Sequence, residues 1–255
     1  GTELKGRPVI LLTTVGAIVL PFLLMVGLYA VGLDVSSVLY WTLVGAFTVT
    51  ALTIWAECSH ALDPPALPPE PDEPAPRATA VIAAYLPNEA DTVVETLHAF
   101  LAQGYEPGLQ IVLAYNTPFR LPVQDELAAL EREHPDLTVL EVRDSTSKAQ
   151  NVNAALRVAD GEFIGIFDAD HHPMPGAFAR AWRWLADGAD VVQGHCVIRN
   201  GDSSALAKLV AVEFEQIYAV SHPGRAALHG FGIFGGSNGY WRASALDRIR
   251  LRGSY

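Results

Sequence analysis

The chain has 255 residues, 50% of them hydrophobic and only 18% charged, with a net charge of −11. That acidic balance argues against a nucleic-acid partner, which asks for a basic face. Two cysteines give no disulfide framework, and a charged fraction below the usual quarter is low for a soluble protein. The apolar excess lies at the N-terminus, where no charge falls between Pro8 and Leu33 or between Val35 and Ala56. Each run exceeds the roughly 20 residues a helix needs to cross a bilayer. The spacing predicts a transmembrane hairpin over residues 1–57, with spans at about 8–33 and 35–56. The first run is too long for a signal peptide and a second follows at once, so cleavage is not expected. Pro21 inside the first span is tolerated in a membrane helix. Lys5 and Arg7 precede the first span, and the turn Asp34 to Ser37 carries no Lys or Arg. The positive-inside bias therefore puts the N-terminus, and the chain after Glu57, in the cytoplasm. Tyr40 and Trp41 suit the outer interface. A buried hairpin in a soluble protein is the competing reading.

Residues 58–78 change character. Seven of the 17 prolines fall between Pro64 and Pro76, mixed with Asp63, Glu70, Asp72 and Glu73. Such a segment forms neither helix nor central strand and is expected to run as an extended, semi-rigid spacer. Cys58 beside it and Cys196 further on are read as small apolar fillers.

From Thr79 onward short apolar runs alternate with helical periodicity. Strands are expected at Thr79–Ala84, Leu109–Ala114, Leu137–Val142, Phe163–Phe167 and Val191–Ile198. Helices are expected at Glu89–Leu101, Leu121–Glu133, Ser147–Val158 and Ala177–Ala186. A longer one at Ser203–Ser221 is stopped by Pro223. Its stripe of Leu206, Leu209, Val210, Phe214, Ile217 and Tyr218 is assigned to the core, contact with further membrane helices being the competing reading, with Glu213 and Glu215 solvated. Strand–helix alternation of this kind means an α/β fold with a mainly parallel sheet.

The chemistry gathers at one strand end. Phe163-Ile164-Gly165-Ile166-Phe167 runs straight into Asp168-Ala169-Asp170-His171-His172-Pro173. In an open α/β sheet ligands bind beyond the carboxyl ends of the strands. Asp168 and Asp170 share a side if the strand continues. Two carboxylates side by side repel unless a cation lies between them, and a divalent ion carrying a diphosphate supplies that charge. A plain polar turn is the competing reading. Tyr85, Asn88 and Glu89 end the first strand, Asn116 the second, and Lys148 opens a helix whose N-terminus favours anions. Asn88, Glu89 and Asn116 could read a base or ribose. Lys148 could instead be a solvated surface lysine, and Asn116 a turn residue.

These motifs resemble the family 2 inverting glycosyltransferases of GT-A fold, in their membrane-embedded, cellulose-synthase-like and hyaluronan-synthase-like branch. Asp168-Ala169-Asp170-His171-His172-Pro173 is similar to that branch's Asp-x-Asp-His-x-Pro, and Lys148 to Leu156 to its lysine-led helix start. Tyr85-Leu86-Pro87-Asn88-Glu89 resembles its Tyr-Asn-Glu with two residues inserted. Val192-Gln193-Gly194 with Arg199-Asn200, and Gly235-Gly236-Ser237-Asn238-Gly239-Tyr240-Trp241-Arg242, fit as well. The resemblance covers about residues 79 to 250. It implies a GT-A (Rossmann-like) cytoplasmic domain over 79–255, after the hairpin and the linker.

By that resemblance Tyr85, Asn88, Glu89, Asn116, Lys148, Asp168 and Asp170 bind a nucleotide sugar, a UDP-sugar being expected. Asp168 and Asp170 form the metal site for Mg²⁺ or Mn²⁺, with Asp168 toward the nucleotide. Gly235, Gly236, Ser237 and Asn238 face the acceptor, the glycines allowing close approach of the backbone, and His171 is read as structural. The sequence departs from the family in two places. The second strand ends in Ala114-Tyr115-Asn116 instead of an aspartate, which leaves the base open. The family's Thr-Glu-Asp-like segment with the catalytic base has no counterpart: Asp247 is the sole carboxylate after Gly239 and sits on a surface helix. No catalytic base is assigned; it is expected beyond Tyr255, in a C-terminal part that would pack on this chain.

The expected activity is metal-dependent transfer of a sugar to a growing polysaccharide by an integral protein of the plasma membrane. Non-processive transfer to a polyprenyl phosphate or lipid is the second expectation. A non-catalytic nucleotide-sugar-binding subunit is the third.

Overall fold

The computed structural model describes residues 3–250. Two compact units make up the chain, Gly1–Cys58 and Ser59–Tyr255; residues 251–255 of the expected domain lie outside the described residues. The first unit holds helices α1 (Glu3–Ala30) and α2 (Ser36–Ala61). Thr13–Ala30 and Ser36–Ala61 are long and apolar enough to cross a membrane. Large side chains such as Phe22, Phe47 and Trp55 point outward. Thr42, Thr48, Thr50 and Thr53 each donate to the carbonyl four residues back, at 2.7–2.9 Å. Their hydroxyls therefore need no water, which suits an apolar surrounding. α1 ends before the expected Leu33 because Gly32 turns left-handed at φ +84. The Asp34 carboxylate then accepts the Ser36 N–H at 2.9 Å and starts α2, which continues past Ala56.

Within the second unit the Pro-rich segment is bonded to residues that follow it. Arg183 Nε donates to the Pro68 carbonyl at 2.5 Å, and the Tyr105 hydroxyl to that of Pro76 at 2.8 Å. The expected spacer is therefore fastened along part of its length.

Strands β1 (Ala78–Tyr85), β2 (Leu109–Asn116), β3 (Leu137–Glu141) and β4 (Phe163–Asp168) are joined by helices. These are α3 (Leu86–Glu89), α4 (Val93–Leu101), α5 (Val123–Glu133) and α6 (Lys148–Ala155). Helix α7 (Ala177–Ala186) leads to β5 (Val191–Gln193), and α10 (Ala243–Arg250) follows β6 (Gly239–Arg242). Between β5 and β6 run α8 (Ala205–Glu215), a π-helical turn (Gln216–Ser221) and α9 (His222–His229). Among the described residues six strands form one sheet in the order β3-β2-β1-β4-β6-β5. β3, β2, β1 and β4 are parallel, whereas β6 is antiparallel to both neighbours. The expected mainly parallel α/β fold is present.

Strand alternation sorts the core into two layers. Ala80, Ile82, Ile111, Leu113, Phe163 and Phe167 pack with α4, α5 and α7 on one face. Val81, Ala83, Val112, Ile164 and Ile166 pack with α6 and α10 on the other. Gly165 has no room for a side chain, since a Cβ there would stand 2.5 Å from the Phe167 ring.

Four expectations change. The helix expected from Glu89 is broken by a turn at residues 90–92, because Leu86-Pro87 places a helical turn directly after β1 and uses Pro in its first turn. The strand expected at Val191–Ile198 stops at Gln193. Gly194 donates to the Asn238 carbonyl at 2.7 Å, and the Asn238 amide fills the space where a Gly194 Cβ would be. Pro223 does not end the long helix; it sits in the first turn of α9, where its missing N–H costs nothing, and the backbone reaches it through the π turn. The stripe on α8 is not core. No residue of α8 is buried, and Leu206 and Leu209 are 71% and 69% exposed.

Candidate active site

After β1 the chain pairs its next strands on one side of β1, then returns to lay β4 on the other. The crevice at such a switch point is where α/β sheets bind ligands. Register places Tyr85 opposite Asn116 and Ala83 opposite Asp168, so three strands deliver their last residues to one rim. A cleft of about 770 Å³ opens there, lined among others by Tyr85, Glu89, Asn116, Asp144, Lys148 and Asp168. Five of the seven expected donor residues, Tyr85, Glu89, Asn116, Lys148 and Asp168, thus come from separate elements to one place. Asn88 and Asp170 are exposed and are not part of the lining.

The acidic loop is held from below. The buried Thr96 hydroxyl on α4 donates to the Ala169 carbonyl at 2.7 Å, between the two aspartates. Gln103 Nε2 donates to the Pro173 carbonyl at 2.9 Å. Asp168, Asp170 and His171 then offer one ligand atom each within 4.8 Å of one another. Two hard oxygens and one imidazole nitrogen suit Mn²⁺ or Mg²⁺. His171 was read as structural, and its place beside both carboxylates makes it a candidate ligand as well. The adjacency of His171 to Asp-x-Asp was the available signal.

Charge at the site is unbalanced toward negative. Burial raises the Glu89 pKa above the usual carboxylate value, and the Asp170 and Asp168 charges add to the rise. Burial works against the His171 imidazolium, but the Cys196 thiol and both carboxylates outweigh it and raise the His171 pKa. Lys148 supplies the local cation: its Nζ pairs with the Asp168 carboxylate and donates to the Gly236 carbonyl at 2.7 Å. It is therefore tied into the cleft wall and not a freely solvated surface lysine. Its helix is capped by Ser147, whose hydroxyl accepts the Gln150 N–H.

Asn151, one turn along α6, was given no role from sequence. It is almost fully buried, and its amide donates to the Ala84 carbonyl at 3.0 Å and to Asn116 Oδ1 at 2.8 Å. Asn116 in turn donates to the Ser145 carbonyl at 3.1 Å. Asn116 is thus fixed at the cleft wall as an amide offering both a donor and an acceptor edge.

The glycine-rich segment is drawn against the acidic loop. Gly236 adopts φ +86, a conformation open to glycine, and turns its carbonyl to Lys148. Gly235 N–H donates to Gln193 Oε1 at 2.8 Å. Gln193 Nε2 donates to the carbonyls of Ser237 at 2.9 Å and Asn238 at 3.1 Å. Asn238, at φ 52, donates to the His195 carbonyl at 3.2 Å and the Cys196 thiol at 3.4 Å. Cys196 is buried and packed against His171, Asn238 and Tyr218, whose hydrogen bonds lower its pKa against the opposing effect of burial. Ser237 was expected to face an acceptor. It is buried, and its hydroxyl meets the Asp168 N–H and the His171 ring instead. Asp247 on α10 is exposed and lies outside the cleft lining.

Residues 79–249 match the Glycosyl transferase family 2 model. The chain belongs to that family. Within it, the chain resembles Probable glucomannan 4-beta-mannosyltransferase 1 of Arabidopsis thaliana, with 28% identity over 88 residues. It also resembles Probable glucomannan 4-beta-mannosyltransferase 7 of Oryza sativa subsp. japonica, with 31% identity over 88 residues. These matches take in 34% of this chain and only 16% and 15% of the two relatives. Among solved structures, the mannosyltransferase PcManGT from Pyrobaculum calidifontis, in complex with GDP-Man and Mn²⁺, superimposes with a TM-score of 0.59 at 26% identity. The superposition takes in 82% of this chain and 55% of PcManGT. The family 2 fold expected from the motifs is therefore the fold observed.

Proposed function

We propose that this chain carries the donor-binding machinery of a membrane-anchored, metal-dependent family 2 transferase that moves mannose from GDP-mannose onto a polysaccharide. The observation that carries the proposal is the meeting of Asp168, Asp170 and His171 around one point, with Lys148 paired to Asp168 at the rim of the switch-point cleft. The likeness to PcManGT, solved with GDP-Man and Mn²⁺, and to the glucomannan mannosyltransferases supports a guanosine donor over the uridine donor expected from sequence. The two long apolar helices support anchoring of residues 1–57 in a membrane, the plasma membrane by the sequence reading, with the domain from 79 onward on the cytoplasmic side.

Asp168, Asp170 and His171 would hold the divalent cation, which supplies charge neutralisation of the leaving diphosphate when bound. Lys148, already held at the cleft by Asp168 and the Gly236 carbonyl, would give its ammonium to the same diphosphate. Glu89 and the Asn116–Asn151 pair would orient the nucleoside. The glycine-rich segment, locked to the acidic loop through Lys148 and Ser237, would fix where the acceptor meets the donor.

Titration calorimetry of the full chain in detergent tests this directly. GDP-mannose is expected to bind in the presence of Mn²⁺ and to lose that dependence in Asp170→Ala. Equal binding with and without Mn²⁺ would remove the cation from the proposal. UDP-glucose is expected to bind at least tenfold more weakly than GDP-mannose, a gap of about 1.4 kcal/mol; tighter UDP-glucose binding would return the donor to the uridine class.

A further inference from the structure

We infer that Ser237 is a positioning residue that sets the tautomer of His171 and so ties the glycine-rich segment to the cation site; this rests on the cation site proposed above. A serine hydroxyl has one hydrogen and two acceptor lone pairs. At Ser237 one lone pair receives the Asp168 N–H at 2.9 Å. His171 Nδ1 stands 2.8 Å from the same oxygen. With Nδ1 committed to Ser237, the nitrogen left to turn to a cation, in place of the Cys196 thiol beside the ring, is Nε2, and it can ligate only if its lone pair is free. That requires the proton on Nδ1, donated to the second lone pair of Ser237. Metal-bound imidazoles owe their tautomer and orientation to such a partner on the other ring nitrogen.

Ser237 is itself immobilised. It is 6% exposed, its carbonyl accepts from Gln193 Nε2, and the preceding Gly236 carbonyl accepts from Lys148. The polar groups around the His171 ring are the Ser237 hydroxyl, the Cys196 thiol and the two aspartates. Of these, Ser237 is bonded both to a ligand's ring and to another ligand's backbone. A shift of the glycine-rich segment therefore moves the imidazole and the start of the acidic loop together.

The test uses Mn²⁺ alone as probe, on the full chain in detergent, with Ser237→Ala, Ser237→Thr and His171→Ala. Pulsed electron paramagnetic resonance reads ¹⁴N coupling to the bound ion, and titration of free Mn²⁺ reads affinity. The native chain is expected to show a directly bonded nitrogen that His171→Ala abolishes. Ser237→Ala should lose or weaken that signal and bind Mn²⁺ roughly tenfold or more weakly, the usual cost of removing such a partner. Ser237→Thr, which keeps the hydroxyl, should retain both. Unchanged nitrogen coupling in Ser237→Ala overturns the inference, whether or not affinity falls, because Ser237 would then act through the Asp168 backbone alone. Mn²⁺ binding without nitrogen coupling in the native chain overturns it too, yet leaves the proposed donor chemistry standing. No Mn²⁺ binding at all strikes both.

Discussion

The two halves of the sheet are built on different terms. The centre of the parallel half, β2-β1-β4, is sealed on both faces: Ile82, Leu113 and Phe163 on one, and Val81, Val112 and Ile166 on the other, are at most 2% exposed. The flank carried by β5, β6 and the helices between them is shallow. Its strands are three and four residues long, and α8 buries nothing. The cleft residues Tyr85, Asn116 and Asp168 stand on the sealed half, while the glycine-rich segment belongs to the flank and is held to the acidic loop by hydrogen bonds.

The largest effect expected from that contrast is at Phe167. Its ring packs edge-on against Phe100 and Tyr240, with centroids at 4.8 and 5.6 Å. Phe167→Ala should lower unfolding stability by about 3–5 kcal/mol, read from denaturant titration of the full chain; a loss below about 1 kcal/mol would mean the parallel half is no tighter than the flank. Next comes Thr96→Val, which keeps shape but strips the Ala169 carbonyl of its partner. A cost of about 1–3 kcal/mol is expected, together with weaker Mn²⁺ binding because the two carboxylates lose their common anchor. Stability falling with Mn²⁺ affinity intact would show that the loop holds its geometry without α4. Least of all, Leu209→Gln on the exposed face of α8 should change stability by no more than about 0.5 kcal/mol, and a larger loss would place that face in contact with something.

Legibility from sequence follows the same division. The runs Thr79–Ala84, Leu109–Ala114 and Phe163–Phe167 are apolar apart from Thr79 and Gln110, which hydrogen-bond each other, because both faces of those strands are covered, so composition alone marks them. Asp168, Asp170 and Lys148 could be read because they sit at strand and helix ends, where the fold class says ligands bind. The flank resisted because its order comes from side chain to backbone bonds. Gly194 ends β5 on account of Asn238, some forty residues away, and no periodicity records that. The stripe on α8 has helical spacing whether it faces a core or not, so burial could not be told from pattern. Ser237 reads in sequence as part of an acceptor-facing glycine segment, and only its pairing with Asp168 and His171 shows which way it turns. Asn151 was hidden for the same reason, being a polar residue whose partners are carbonyls at the ends of other strands.

The lysine that grips Asp168 has a consequence for how the empty cleft rests. With its ammonium shared between a carboxylate and the Gly236 carbonyl, the resting site already carries its own countercharge. A cation held by Asp168 would compete with the Lys148 ammonium for the same carboxylate, and an ammonium freed from it would have to give up the Gly236 carbonyl as well, so the acidic loop and the glycine-rich segment share one countercharge.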